Sequence, residues 1–185
     1  MKRGWAIFVI ASFMVFSGAR AYGQGADGID SERFKPTTDS QGVFMTDGGQ
    51  GELSGDLNVG FYVHYSRNPL VVSREGDTLH SLVSDRVGGN LIVSMGMTDW
   101  LTLGVDVPAT FYQDGKMLEE ATGADMGLAS AALGDIRVAP KFTLLREKNH
   151  GISLAVNVPV SLPSGDDQAF LGNKSVTISP TLALS

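Results

Sequence analysis

The sequence predicts an all-β protein built as an antiparallel up-and-down barrel, and three observations lead there. Between about residue 53 and residue 185, apolar side chains occupy every second position in successive blocks, and a strand turns such alternating residues to opposite faces. The connections between blocks alternate in length, long near 67–85, short at 98–99, long at 113–132, short at 146–150 and long at 163–174. Finally, no charge falls on the apolar parity inside any block, whereas Asp56, Asp106, Asp135, Arg137 and Lys141 all lie on the polar one. Short turns at one end with long loops at the other, and apolar side chains facing outward, are the pattern of strands that cross a bilayer. In hydrocarbon only a helix or a closed barrel pairs every backbone polar group.

The chain begins with Lys2 and Arg3, a continuous apolar run from Trp5 to Phe16, and the small-residue stretch Ser17-Gly18-Ala19-Arg20-Ala21. That is the layout of a secretory signal peptide, residues 1–21, cleaved after Ala21; the apolar run is well short of the roughly 20 residues a spanning helix needs. Residues 22–51 are rich in Gly, Asp, Ser, Thr and Gln. They read as a low-order periplasmic lead-in, with Phe34, Val43, Phe44 and Met45 as docking points. Residues 52–185 hold about six strands.

The first strand covers residues 53–66, with Leu57, Val59, Phe61, Val63 and Tyr65 on one face and Asp56, Asn58, Gly60, Tyr62 and His64 on the other. Arg67-Asn68-Pro69 interrupts it, and Arg74-Glu75-Gly76-Asp77 marks a loop tip with flanking residues that extend the hairpin beyond the membrane. The second strand, residues 86–97, sets Val87, Leu91, Val93, Met95 and Met97 against Arg86, Gly88, Asn90, Ser94 and Gly96; Ile92 breaks the parity. A turn at Thr98-Asp99 gives the hairpin into the third strand, residues 100–111. Trp100 has the polar parity there and is expected to point inward at the rim. The fourth strand, residues 135–145, carries Ile136, Val138, Phe142 and Leu144 opposite Asp135, Arg137, Ala139, Lys141 and Thr143. The fifth, residues 152–162, places Ile152, Leu154, Val156, Val158, Val160 and Leu162 opposite Asn157 and its neighbours, and the sixth begins near Ser175.

Composition narrows the function. There is no cysteine, so disulfides, thiolate metal sites and a lipidated N-terminal Cys are excluded. A net charge of −6 argues against nucleic acid as a partner, because neutralising phosphates needs a cationic surplus. The acids Asp114, Glu119, Glu120, Asp125 and Asp135 lack the spacing of a calcium loop and read as solvated extracellular loop. His64, His80 and His150 lie far apart in the chain, and no nucleophile, base and orienting group converge. Neither an enzyme nor a cofactor or metal site is expected. The side chains that such a barrel would turn into its lumen are Asp56, Asn58, His64, Arg86, Asn90, Asp106, Arg137, Lys141 and Asn157.

Gly134-Asp135-Ile136-Arg137-Val138-Ala139-Pro140-Lys141, followed by Val158-Pro159-Val160-Ser161-Leu162-Pro163-Ser164-Gly165, resembles a recurring pattern of Gram-negative outer-membrane barrels, in particular the phenol-degradation (MetA)-type transporters. Arg33-Phe34-Lys35-Pro36 and Val63-His64-Tyr65-Ser66-Arg67-Asn68-Pro69-Leu70 are similar to the start of the N-terminal barrels of long OmpA-family envelope proteins, and the likeness runs over residues 33–185. It implies residence in the outer membrane, contact with outer-membrane lipid and with the barrel-assembly machinery, and passage or binding of small solutes. The alternative it implies is envelope anchoring, with peptidoglycan gripped by a C-terminal domain that this sequence lacks. A soluble periplasmic β-sandwich binder is the reading outside that family. Leu184-Ser185 offers no terminal aromatic, and six strands fall below the roughly eight of the smallest common barrels. The expectation is therefore an incomplete, N-terminal part of a longer barrel.

Overall fold

The computed structural model describes residues 29–74, 77–115, 129–167 and 169–185. The expected signal peptide lies outside them, as do the loop acids Glu119, Glu120 and Asp125. The described chain is all-β and antiparallel. Its strands are β1 (Leu57–Arg74), β2 (Asp77–Thr98), β3 (Leu101–Asp114), β4 (Ala132–Leu133), β5 (Arg137–Leu145), β6 (Leu154–Asn157), β7 (Val160–Ser161), β8 (Thr177–Ile178) and β9 (Thr181–Leu184). One curled sheet holds them all, in the order β1-β2-β3-β5-β6-β9, with β4 on β3 and the β7–β8 pair continuing from β5.

The short strands are fragments of longer ones, and proline is the reason. Asn157 pairs with Thr181 and Val160 with Ile178, so Pro159 in one strand and Pro180 in the other interrupt the pairing at one level, where 158–159 lie opposite 179–180. Neither ring can donate to the ladder. Joined across that break, the sheet is a meander of six long strands, as the alternation predicts.

Bulges account for two of the irregularities along the strands. At Arg67–Leu70 the β1–β2 register slips, where Asn68 takes a positive φ of 50° and Pro69 follows. Beyond it the hairpin continues to the Arg74–Asp77 pair, so β1 and β2 extend well past the roughly 9–11 residues a bilayer crossing uses. A second slip sets Val87 opposite Tyr112 and Gly88 opposite Thr110. Phe111 and Tyr112 are consequently both exposed, and Gln113 returns to the concave side, buried. Strand β3 thus runs three residues past its expected end.

The turns are equally local in origin. Asp99 and Trp100 form the two-residue connection between β2 and β3. Because Trp100 sits in that turn, strand parity does not bind it, which corrects the expectation that it points inward: its ring stacks on Phe142 at 6.2 Å. Between β5 and β6 a single helical turn, α1 (Glu147–His150), ends on Gly151, whose φ of 74° lets its N–H reach the Glu147 carbonyl.

Candidate functional site

The two faces of the sheet are inverted relative to a water-soluble protein. Leu57, Val59, Phe61, Val63 and Tyr65 on β1 are each more than 60% exposed, and Leu91, Val93, Met95 and Met97 on β2 are exposed beside them. Arg86, Asn90, Ser94, Thr102, Asp106, Lys141 and Asn157, on the opposite parity, are at most 2% exposed. Lys, Arg and Asp are almost never this buried without partners, so the polar face must be covered by something that pairs with it.

Residues 29–52 provide the cover. This stretch has almost no regular secondary structure, in keeping with its composition, and it lies along the concave face and bonds to it throughout. Lys141 Nζ donates to Asp39 Oδ2 at 2.7 Å, with both side chains 1% exposed. Glu52 accepts from the Ser40 N–H at 2.8 Å and from Ser94 Oγ at 3.2 Å. Asp47 gathers Thr37 at 3.1 Å, Asn157 Nδ2 at 2.9 Å and Thr181 at 3.0 Å. Arg137 bridges the Pro36 carbonyl and Asp106, the latter at 2.9 Å, and Asn90 Nδ2 donates to the other Asp106 oxygen at 2.9 Å. Phe34 packs against His64 at 5.0 Å and edge-on to Tyr62 at 6.0 Å. Glu32 faces His64 Nε2 at 3.8 Å and Arg86 at 4.0 Å.

Of the expected docking points, then, Phe34 is seated. Val43, Phe44 and Met45 are instead exposed at the tip of the Val43–Thr46 turn, where Phe44 has a positive φ of 53°. Close approach is possible because glycine faces the segment: a Cβ on Gly104 of β3 would stand 2.5 Å from Thr38. Ile92, the residue that breaks the alternation on β2, is 2% exposed. It lines a cleft of about 150 Å³ with Thr37, Asp39, Ser40, Asn58 and Tyr62, so its apolar side chain is buried beneath the segment.

Eight of the nine residues assigned to the lumen from sequence share this concave face. Asn58 and His64 are half-buried, and Arg86, Asn90, Asp106, Arg137, Lys141 and Asn157 form the paired floor. Asp56 is the exception: it precedes β1, is exposed, and its carbonyl accepts from Gly96 N–H at 2.9 Å. Gln113 was not anticipated. It accepts from Arg86 Nε at 3.1 Å, and only the bulge brings it inward.

Comparison with protein-family models, with curated proteins and with solved structures finds no match for this chain. The Gly134-Asp135 and Leu162-Pro163-Ser164-Gly165 stretches have a physical explanation in the fold. Asp135, expected on the polar face of a strand, lies just before β5 and acts as a clasp. Its carboxylate accepts the Gly165 N–H at 2.8 Å and the Asn173 N–H at 3.0 Å, while Ser164 Oγ accepts from Ile136 N–H at 2.8 Å. Gly165 must be glycine, because a Cβ would collide with the Leu171 carbonyl and stand 2.9 Å from Asp135 N. Gly-Asp and Leu-Pro-Ser-Gly are thus the two halves of one loop anchor.

Burial raises the Asp39 carboxyl above its ordinary 3.8, and the attraction of Lys141 offsets this only in part. Burying the pair therefore costs much of what its mutual attraction supplies.

Proposed function

We propose that this chain forms the wall of an outer-membrane β-barrel that passes or holds small solutes, with residues 29–52 filling its interior as a plug. The observation that carries the reading is the inversion of the sheet: its apolar face is bare while its ionised face is packed and paired. A soluble sandwich buries its apolar faces instead, and in water an apolar surface of this extent marks contact with lipid or a partner.

The aromatic residues fit a membrane band. Trp100 and Phe142 stack at the short-turn end of the sheet, and Phe61 and Phe111 meet at 6.4 Å towards the other. The path from Trp100 to Phe111 is about 36 Å at about 3.3 Å per residue. Tilted by about 40°, it spans about 28 Å, close to the roughly 25 Å apolar band of such barrels and their flanking girdles. The outer edges of β1 and β9 have no strand partner among the described residues. Since unpaired backbone groups cost several kcal/mol each in hydrocarbon, the proposal includes further strands that join these edges and close the barrel.

A second reading, envelope anchoring by a barrel that conducts nothing, is favoured by the packed interior. Planar-bilayer recording on the full-length protein separates the two: discrete single-channel steps support transport, and a silent barrel that co-sediments with peptidoglycan supports anchoring. Fractionation tests the common ground. The protein is expected in the outer-membrane fraction, extracted only by detergent and migrating differently on gels before and after heating; recovery in the periplasm without detergent would overturn both readings.

A further inference from the structure

We infer that the interior of this wall is built for small anions, and that residues 29–52 occupy it as an internal competitor whose carboxylates stand where those of a solute would sit. The inference rests on the barrel reading above and names the solute class.

Without the covering segment, the concave face is cationic. The strands turn Arg86, Arg137 and Lys141 inward, with His64 beside them, against two buried wall carboxylates among the described residues, Asp106 and, just before β5, Asp135, which its clasp on Gly165 and Asn173 already occupies. The segment itself carries Asp30, Glu32, Asp39, Asp47 and Glu52 against only Arg33 and Lys35. Two of its acids meet the wall's cations, Asp39 on Lys141 at 2.7 Å and Glu32 on Arg86 at 4.0 Å, while the backbone carbonyl of Pro36 takes Arg137.

The cations also stand at successive levels along the strands. Thr102 pairs with Lys141 and Asp106 with Arg137, and Gln113 pairs with Arg86. Counted over the bulge, these levels are about 13 Å and then about 20 Å apart at about 3.3 Å per residue. Such a series runs most of the way through the wall, as a path for anions requires. The plug leaves part of its donor capacity unused. Arg86 is fully buried, yet its Nη1 has no hydrogen-bond partner, and Arg137 Nε and His64 Nδ1 are likewise unpartnered. Arg86 Nη1 meets Glu32 only at 4.0 Å, and an N–H left without a hydrogen bond on a buried guanidinium can take an oxygen of a carboxylate or phosphate.

Two measurements on the full-length protein test this. In planar bilayers under a potassium chloride gradient, Asp39→Asn and Glu32→Gln are expected to raise open probability several-fold, with a reversal potential on the chloride side. Adding Lys141→Glu to Asp39→Asn should move it towards potassium. In the wild-type protein, which avoids any folding failure of the variants, citrate and inorganic phosphate are expected to speed amide hydrogen exchange at residues 37–41 several-fold, and sucrose is not. Potassium-selective openings, openings indifferent to these substitutions, or exchange that responds equally to sucrose and citrate would each overturn the inference while leaving the barrel intact. A protein that does not insert in the bilayer overturns the barrel reading itself.

Discussion

Breaking the Lys141–Asp39 pair from one side should loosen the whole interior, and replacing both partners should not. The two groups meet at 2.7 Å with each side chain 1% exposed. Truncating Asp39 to Ala leaves an ammonium buried with no counter-charge, which costs about 3–5 kcal/mol. Lys141→Met combined with Asp39→Leu removes both desolvation costs, and for such exchanges the outcome ranges from neutral to about 1–4 kcal/mol more stable. The hydrogen bond from Gln41 N–H to Asp39 at 3.0 Å is lost in both variants, so it subtracts about 1 kcal/mol from each. Urea unfolding of the protein in lipid vesicles, read by tryptophan fluorescence with free energies extrapolated to water, measures the contrast. A single variant within about 0.5 kcal/mol of wild type, or a double variant as damaged as the single, would refute the reasoning that burial dominates this contact.

Other consequences are more local. Val93 and Val105 face each other in mid-sheet on the apolar side; Val93→Arg is expected to cost about 2–4 kcal/mol in vesicles, the figure for a cation on the lipid face near the midplane, and a loss under 0.5 kcal/mol would argue against lipid there. Asp135→Asn removes the charge from the clasp on Gly165 and Asn173. A loss of about 1.5–3 kcal/mol is expected for charge-assisted bonds, seen as faster exchange at those two amides with the strands unaffected. Gly165→Ala should be comparably damaging because its Cβ meets backbone, whereas Gly55→Ala should show only the strain of its positive φ of 86°, with nothing within 4 Å; parallel thermal melts distinguish the two.

Much of the wall was legible in the sequence because strand parity is a strictly local rule. Leu57 to Tyr65 and Leu101 to Phe111 announce their outward faces with no knowledge of what they pack against, and six strands with a protruding first hairpin follow from pattern and turn residues alone. Trp100 was misplaced because parity ends where a turn begins. Gln113 was missed because a bulge of one residue is invisible in an alternation that is already fading into a loop. The larger omission was the role of residues 29–52. A segment with few apolar residues reads as unable to bury itself, and that logic holds when the surface it covers is apolar. Here the surface is ionised, so the relevant signal was charge complementarity between Asp39 or Glu32 and the inward Lys141 or Arg86, which no period reveals. Asp135 shows the same limit: its parity was right for a strand, but its carboxylate serves a loop 30 residues on.

None of these 185 residues is cysteine, so a label placed among them is unambiguous once any cysteine elsewhere in the full-length protein is replaced. Single cysteines placed in turn from residue 57 to residue 64 of the full-length protein, labelled with a bimane fluorophore and reconstituted with spin-labelled lipid, report which side chains touch acyl chains. Strong quenching at 57, 59, 61 and 63 and weak quenching at 58, 60, 62 and 64 is expected. Uniform quenching, or the opposite alternation, would contradict an apolar face turned to lipid around a polar, occupied interior.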